Sequence, residues 1–173
     1  MDYHRITEAR AADLQLPNEE FELFGRMLVS RRDEKWQYDT TFFETKETMR
    51  FPDEGYTYKE VNEKGFAIGA YDGQKCVGLA IFENQWGGYA YLQDLKVNKA
   101  YRNQGIAGKL IEKGRALAKE NGYQGVFTIG QDNNLAACLF YLKQGFVIGG
   151  LNTQVYRHTQ QEGKADIYFY LDE

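Results

Sequence analysis

Short apolar runs bounded by glycine turns fill the middle of the chain, and each has the length of a strand. Phe66-Ala67-Ile68-Gly69-Ala70-Tyr71 is the first. Asp72-Gly73 is a strong hairpin turn, and Cys76 to Phe82 is the returning strand. After the turn Gln85-Trp86-Gly87-Gly88, Tyr89 to Val97 forms a third strand, so three antiparallel strands follow one another. The spacing then changes to that of a helix. Ile106, Leu110, Ile111, Leu117 and Ala118 share one face, and Asn121-Gly122 is a stop signal. Gly125 to Ile129 reads as a strand, and Asn134 to Gln144 as a helix ended by Gly145. Phe146 to Tyr156 and Ala165 to Leu171 read as two closing strands around the polar loop Gln160-Gln161-Glu162-Gly163.

The N-terminal third is less regular. Tyr3 to Arg10 alternates loosely and suggests a first strand. Pro17-Asn18-Glu19-Glu20 looks like the start of a helix. Phe21, Phe24, Leu28 and Trp36 would form its apolar face, with Arg31, Arg32 and Lys35 near its end. Thr40 to Phe51 is expected to be a loop or short helix, and Pro52-Asp53-Glu54-Gly55 breaks the chain. The predicted order is strand, helices, three strands, helix, strand, helix, two strands. This is a mixed α/β layer structure, expected as a single domain over residues 1–173.

The joint between the third strand and the first long helix carries the chemistry. Tyr101-Arg102-Asn103-Gln104-Gly105-Ile106-Ala107-Gly108-Lys109 turns through glycines into a helix N-terminus. Unpaired amides and the positive end of the helix dipole make such a point a phosphate or pyrophosphate site. Glycines at 105 and 108 let a ligand approach the backbone. No Gly-Lys-Ser/Thr follows, and the three-glycine dinucleotide fingerprint is absent. On the glycines alone, an ordinary strand-to-helix turn competes evenly with a phosphate site.

Composition narrows the partners. A net charge of −4 argues against nucleic acid and mildly favours a cationic substrate. No run of about twenty apolar residues suggests a membrane span, and Met1 to Arg10 lacks a signal-peptide core, so a cytoplasmic protein is expected. Cys76 and Cys138 are expected as reduced, buried thiols; no metal spacing is present.

Two motifs carry a resemblance. Arg102, Gly105 and Ala107 match an Arg-x-x-Gly-x-Ala loop. Asn134, Ala137, Tyr141, Gly145 and Phe146 match an Asn-x-x-Ala, Tyr, Gly-Phe signature at the right separation and on the right elements. The chain thereby resembles the GCN5-related N-acetyltransferase (GNAT) superfamily. Within it, Asn133 to Tyr141, Gly145 to Gly150, the Trp86 turn and the closing strands are similar to streptothricin acetyltransferases. Some relatives carry Glu at the position of Gln93, and the N-terminal third is less alike.

The resemblance implies a mixed, mostly antiparallel sheet flanked by helices, with splayed strands forming an acetyl-CoA cleft. It implies acetyl-CoA as cosubstrate, no metal, and direct attack of an amine on the thioester. Streptothricin, through its β-lysine amine, is the implied substrate. Another cationic amine (a polyamine, aminoglycoside or peptide) and a non-catalytic CoA-binding module stay open, as does a homodimer. Cofactor contacts would come from Leu95, Lys96 and Val97 through their backbone, from Arg102, Asn103, Gln104, Gly105, Ile106, Ala107 and Gly108, and from Asn134. Lys96 and Val97 side chains would then carry little information. Asn134 is otherwise a helix cap, and Tyr141 otherwise a packing aromatic. By resemblance, Tyr141 is the general acid for the leaving thiolate.

A base must take the proton of the attacking amine, and Asp94 is preferred over Glu83, whose simpler role is a solvated strand end. Strict alternation puts Tyr91, Gln93 and Leu95 on one face and Leu92, Asp94 and Lys96 on the other, unless a bulge disturbs the count. Glu83, Trp86 and Tyr91 are the expected substrate contacts.

Overall fold

The computed structural model describes all residues, 1–173. In chain order the elements are strand β1 (Asp2–Arg5), a 3-10 segment (Glu8–Gln15), β2 (Phe21–Arg32), β3 (Lys35–Met49), helix α1 (Tyr58–Lys64), β4 (Gly65–Asp72), β5 (Lys75–Glu83), β6 (Tyr89–Val97), a 3-10 turn (Lys99–Tyr101), α2 (Ile106–Glu120), β7 (Gly125–Gln131), α3 (Leu135–Lys143), β8 (Val147–Asn152) and β9 (Asp166–Asp172). The fold is mixed α/β, as the patterning predicts. The chain divides into two compact units.

The first unit comprises Met1–Glu19, Arg50–Val126 and Glu173. Its strands run in the order β1-β4-β5-β6, each pair antiparallel. One sheet face carries Phe82, stacked on Phe66 with centroids 5.0 Å apart. Helix α2 covers that face with Ile106, Leu110, Ile111, Gly114 and Ala118, all buried. The glycine at 114 is a close-approach position: a Cβ there would lie 1.9 Å from Phe82 Cζ. The other face packs Leu79 and Ile81 with Ile6, Leu14, Val61 and Ala67, and Tyr56 and Tyr58 close over this cluster.

β6 departs from simple alternation. Phe82 pairs with Leu92, but Ile81 pairs with Asp94, so Gln93 is an extra, bulged residue. Residues directly opposite each other share a face. Leu92, Leu95 and Val97 therefore lie with Phe82, Ala80 and Gly78 on the α2 side. Tyr91, Asp94 and Lys96 lie with Glu83, Ile81 and Leu79 on the other. Strict alternation separated Tyr91 from Asp94; the bulge brings them to one face.

The second unit comprises Glu20–Met49 and Phe127–Asp172. Its strands β7, β9 and β8 lie in that order, β8 antiparallel to β9. The buried β9 residues Ile167 and Phe169 and the buried α3 residues Leu135 and Cys138 belong to its core.

The largest correction lies here: residues 21–49 form a long antiparallel ribbon, β2 with β3, instead of a helix and a loop. Phe21, Phe24 and Leu28 imitate a helical face, yet Leu28 is exposed. The buried positions are Leu23, Gly25 and Met27, a period of two. The turn is two residues long, with Asp33 and Glu34 both at positive φ, 50° and 62°. That is a primed hairpin turn without the usual glycine. Three smaller differences follow. Residues 8–15 form the 3-10 segment, Tyr58–Lys64 is a helix capped by Thr57, and β8 stops at Asn152.

Candidate functional site

Behind β6 the chain makes its turn in stages. Asn98 caps the 3-10 turn, its Oδ1 accepting from Ala100 N at 3.1 Å. Tyr101 donates its hydroxyl to Asp72 at 2.9 Å, which ties the turn to the β4–β5 hairpin. Arg102 Nε donates to the Val97 carbonyl at 3.1 Å, folding the chain back on the strand end. Asn103 and Gly105 both take positive φ, 61° and 79°. The first bond of α2 is Lys109 N to Gly105 O at 3.1 Å. The amides of Ile106, Ala107 and Gly108 thus precede the helical ladder.

No acidic residue stands in the first turn of α2. A Cβ added at Gly105 would meet nothing within 4 Å, so the cradle opens outward. Ile106 is 3% exposed and anchors the helix start in the core. Fixed amides, a positive helix end and an open approach fit a diphosphate group.

The β6 face away from α2 carries charge. Lys96 Nζ lies 2.8 Å from Glu54 Oε2 and 3.2 Å from Asp94 Oδ2. It also donates toward Asn18 Oδ1 at 3.4 Å and stands 5.6 Å from the Tyr56 ring centroid. The Lys96 side chain is 10% exposed and that of Asp94 15%. The role given to Lys96 from sequence, a backbone contact with an uninformative side chain, is incomplete: its ammonium is the hub of this cluster.

The two carboxylates are served unequally. Glu54 accepts from Lys96 and, at 2.7 Å, from Asn18 Nδ2. Burial works against its charge, but these hydrogen bonds outweigh it and hold its pKa below the ordinary value. Asp94 Oδ2 is buried, close to Lys96 in distance but without a well-directed donor. Burial raises the Asp94 pKa, more than the charge of Lys96 and the nearness of Lys96 and Tyr56 lower it, and the Glu54 charge adds to the rise. A buried carboxyl raised this way is a better proton acceptor than an exposed one.

Glu83 and Tyr91 pair opposite each other on the same face, both partly buried. Trp86 is fully exposed. Its turn is braced by Tyr123, whose hydroxyl accepts from Gln85 N at 2.9 Å and donates to Gln85 O at 3.2 Å. The structure therefore gathers Asp94, Glu83 and Tyr91 with Lys96, while Trp86 stands clear.

In the second unit, Asn134 caps α3, its Oδ1 accepting from Ala137 N at 3.3 Å. Tyr141 is partly buried among Phe140, Phe146 and Phe169, with centroids 5.4–5.5 Å away. The cap and the aromatic packing are both present; neither precludes a second role. Cys138 is buried, and burial pushes its thiol up to about 12.

Sequence reasoning missed Asn18, Glu54 and Tyr56. They reach the cluster from loops, which leave no local pattern. Asp94 and Lys96 two apart on a strand did carry a signal, since two charges would share one otherwise apolar face.

The acetyltransferase (GNAT) family matches residues 30–146. The chain is 32% identical over 167 residues to streptothricin acetyltransferase A of Bacillus subtilis (strain 168), covering 96% of each. It is 29% identical over 110 residues to a streptothricin acetyltransferase of Escherichia coli, covering 63% of each. Among solved structures, a candidate streptothricin acetyltransferase of Bacillus anthracis str. Ames, in complex with acetyl coenzyme A, superposes with a TM-score of 0.87. The two are 26% identical, covering 99% of this chain and 98% of the other. A nourseothricin acetyltransferase shares the fold at a TM-score of 0.80 and 19% identity, covering 99% and 97%. With the family matching well over half of the chain and likeness to a relative extending along nearly all of it, this chain belongs to the acetyltransferase (GNAT) family.

Proposed function

We propose that the whole chain is one N-acetyltransferase domain that moves an acetyl group from acetyl-CoA to the β-lysine amine of streptothricin. The observation that carries the substrate is the likeness to streptothricin acetyltransferase A over 96% of both chains. That span includes the loops bearing Asn18, Glu54 and Tyr56. The charge of the β6 face supports a cationic amine independently, since buried carboxylates are matched by cations.

The diphosphate of acetyl-CoA rests on the amides of Ile106, Ala107 and Gly108, with Gly105 giving room and Arg102, Asn103 and Gln104 completing the loop. The pantetheine arm runs along the backbone of Leu95, Lys96 and Val97, and the Asn134 amide meets it. A lysine-type amine has a pKa of about 10.4 and arrives charged. Asp94 takes its proton. The nitrogen then attacks the thioester carbonyl: a C–N bond forms and the C–S bond breaks. Tyr141 donates its proton to the departing sulfur and regains, through water, the proton that the acylated nitrogen gives up. Glu83, Tyr91 and Trp86 contact the amine substrate, and an aromatic face can hold a cation by about 0.5–2 kcal/mol.

The test is an amine panel holding streptothricin, spermidine, an aminoglycoside and a peptide. Release of CoA thiol is followed and the product is located by mass spectrometry. One acetyl group on the β-lysine moiety is the expected result. If streptothricin stays unmodified while spermidine or the peptide is acetylated, the substrate reading fails and the acetyltransferase class survives.

A further inference from the structure

The Lys96 cluster holds two carboxylates and one ammonium, so it is one positive charge short of balance. Groups face Asp94 from several elements. Lys96 and Tyr91 come from β6, and Glu83 from β5. Glu54 and Tyr56 come from the segment before α1, and Asn18 from the loop before β2. Behind these, Asp53 accepts from Asn18 N at 2.8 Å and pairs with Arg50 at 3.4 Å, fixing Asn18 in place. Asn18 also donates to the Pro52 carbonyl at 3.0 Å, so its amide cannot turn freely.

An ammonium has three donors. Here the shortest contact goes to Glu54 at 2.8 Å, and a second partner is Asn18 Oδ1 at 3.4 Å. Asp94 is left with a 3.2 Å approach that lacks hydrogen-bond alignment. A lysine free to choose would turn to the more deeply buried carboxylate, because buried charge gains most from pairing. Here Glu54 and Asn18 take the directed contacts instead.

We propose that Glu54 and Asn18 are positioning residues that hold the Lys96 ammonium away from full pairing with Asp94, so that Asp94 keeps its capacity to take the proton of the incoming amine. This inference rests on the reading of Asp94 as proton acceptor. It gives Lys96 two opposing functions. Its charge makes the buried face tolerable for two carboxylates. Its restraint by Glu54 keeps Asp94 from becoming a satisfied, weakly basic ion pair. The missing positive charge is the substrate's ammonium.

The test uses the full chain and two readouts. The first is the titration of the Asp94 carboxyl carbon by 13C NMR in the absence of substrate. The second is the acid limb of kcat/KM for streptothricin. Glu54→Gln removes a negative charge and frees Lys96, so the Asp94 titration and the acid limb both move down, by about half a pH unit or more. Lys96→Met moves both up, by about one unit or more. Asn18→Ala moves them in the direction of Glu54→Gln, more weakly. Circular dichroism confirms folding, and if Lys96→Met does not fold, Glu54→Gln and Asn18→Ala decide alone.

An unmoved or upward titration in folded Glu54→Gln overturns the proposal. So does a titration that moves while the acid limb stays fixed. Asp94→Asn separates the two levels. If it retains wild-type kcat/KM, the acceptor reading itself fails and the positioning role falls with it. If it is inactive and Glu54→Gln shifts nothing, only the positioning role fails.

Discussion

Gly114→Ala tests how α2 is seated. Helix propensity alone favours alanine over glycine by about 0.5–1 kcal/mol inside a helix. The packing opposes it. The new methyl carbon would lie 1.9, 2.2 and 2.8 Å from Phe82 Cζ, Cε2 and Cε1. Carbon atoms in contact sit ~3.5–4.0 Å apart, so a separation of ~1.5–2 Å must be found. Phe82 is 0% exposed and stacked on Phe66, so its ring cannot swing to solvent. The helix must move. Overpacking of this kind costs about 1–3 kcal/mol, and the upper half of that range less the propensity gain leaves a net loss of about 1–2 kcal/mol. For a chain of this size that is a fall in Tm of roughly 2–4 °C per kcal/mol. Urea denaturation should show a lower midpoint at unchanged slope. Because α2 carries the amides of Ile106 to Gly108, calorimetric affinity for acetyl-CoA should fall in the same variant. Phe82→Leu should relieve the clash, so the double variant costs less than the two single ones together. A Gly114→Ala protein that is more stable than wild type, as propensity alone predicts, refutes the reasoning, and so does simple additivity.

Three further outcomes are expected. Gly105→Val should weaken acetyl-CoA binding severely, because residue 105 sits at φ 79° beside the amide cradle; unchanged calorimetric affinity in a folded variant would remove the diphosphate from this loop. Tyr141→Phe should lower kcat by about 10²–10⁴-fold with little change in acetyl-CoA affinity; a variant within about twofold of wild type would leave Tyr141 a packing residue. Cys138 should resist alkylation at pH 8 in the native state and react on unfolding. Burial holds its thiol up at about 12, so the stability this group contributes is complete below its unfolded value and is lost as pH rises toward 12. Native-state labelling as fast as in urea would contradict this.

Locally encoded features were legible before any coordinates. Asp72-Gly73 is a turn in any context that flanks it with strands, and Asn121-Gly122 and Gly145 end helices through backbone conformations that glycine favours. Asn134 could be read as a cap because a cap depends on residues three apart. The ribbon of residues 21–49 was illegible for a physical reason. Phe21, Phe24 and Leu28 satisfy a helical spacing, the buried face of the strand, Leu23, Gly25 and Met27, is interrupted by a glycine, and the turn uses Asp33-Glu34 where a glycine would have signalled. Much of β3 is exposed, so no buried stripe declares its period. In the site, the glycine turn and Asp94 stood out from the sequence. The partners that set the state of Asp94 did not, because Asn18 and Glu54 reach Lys96 across 78 and 42 residues of chain.

The bulge at Gln93 makes the chemistry of β6 a matter of parity. Gln93 is the residue that the pairing skips, so everything from Asp94 onward faces as it would in an unbroken strand one residue shorter. Deleting Gln93 would therefore leave Asp94 and Lys96 on the face that meets Glu54 and Tyr56. Straightening the bulge at full length would instead exchange them for Leu95 and Val97, without altering a single side chain. The charged face is thus robust to loss of the bulged residue and fragile to loss of the bulge. A library that varies residue 93 between side chains that suit a bulge and side chains that suit a regular strand explores whether this face carries charge at all.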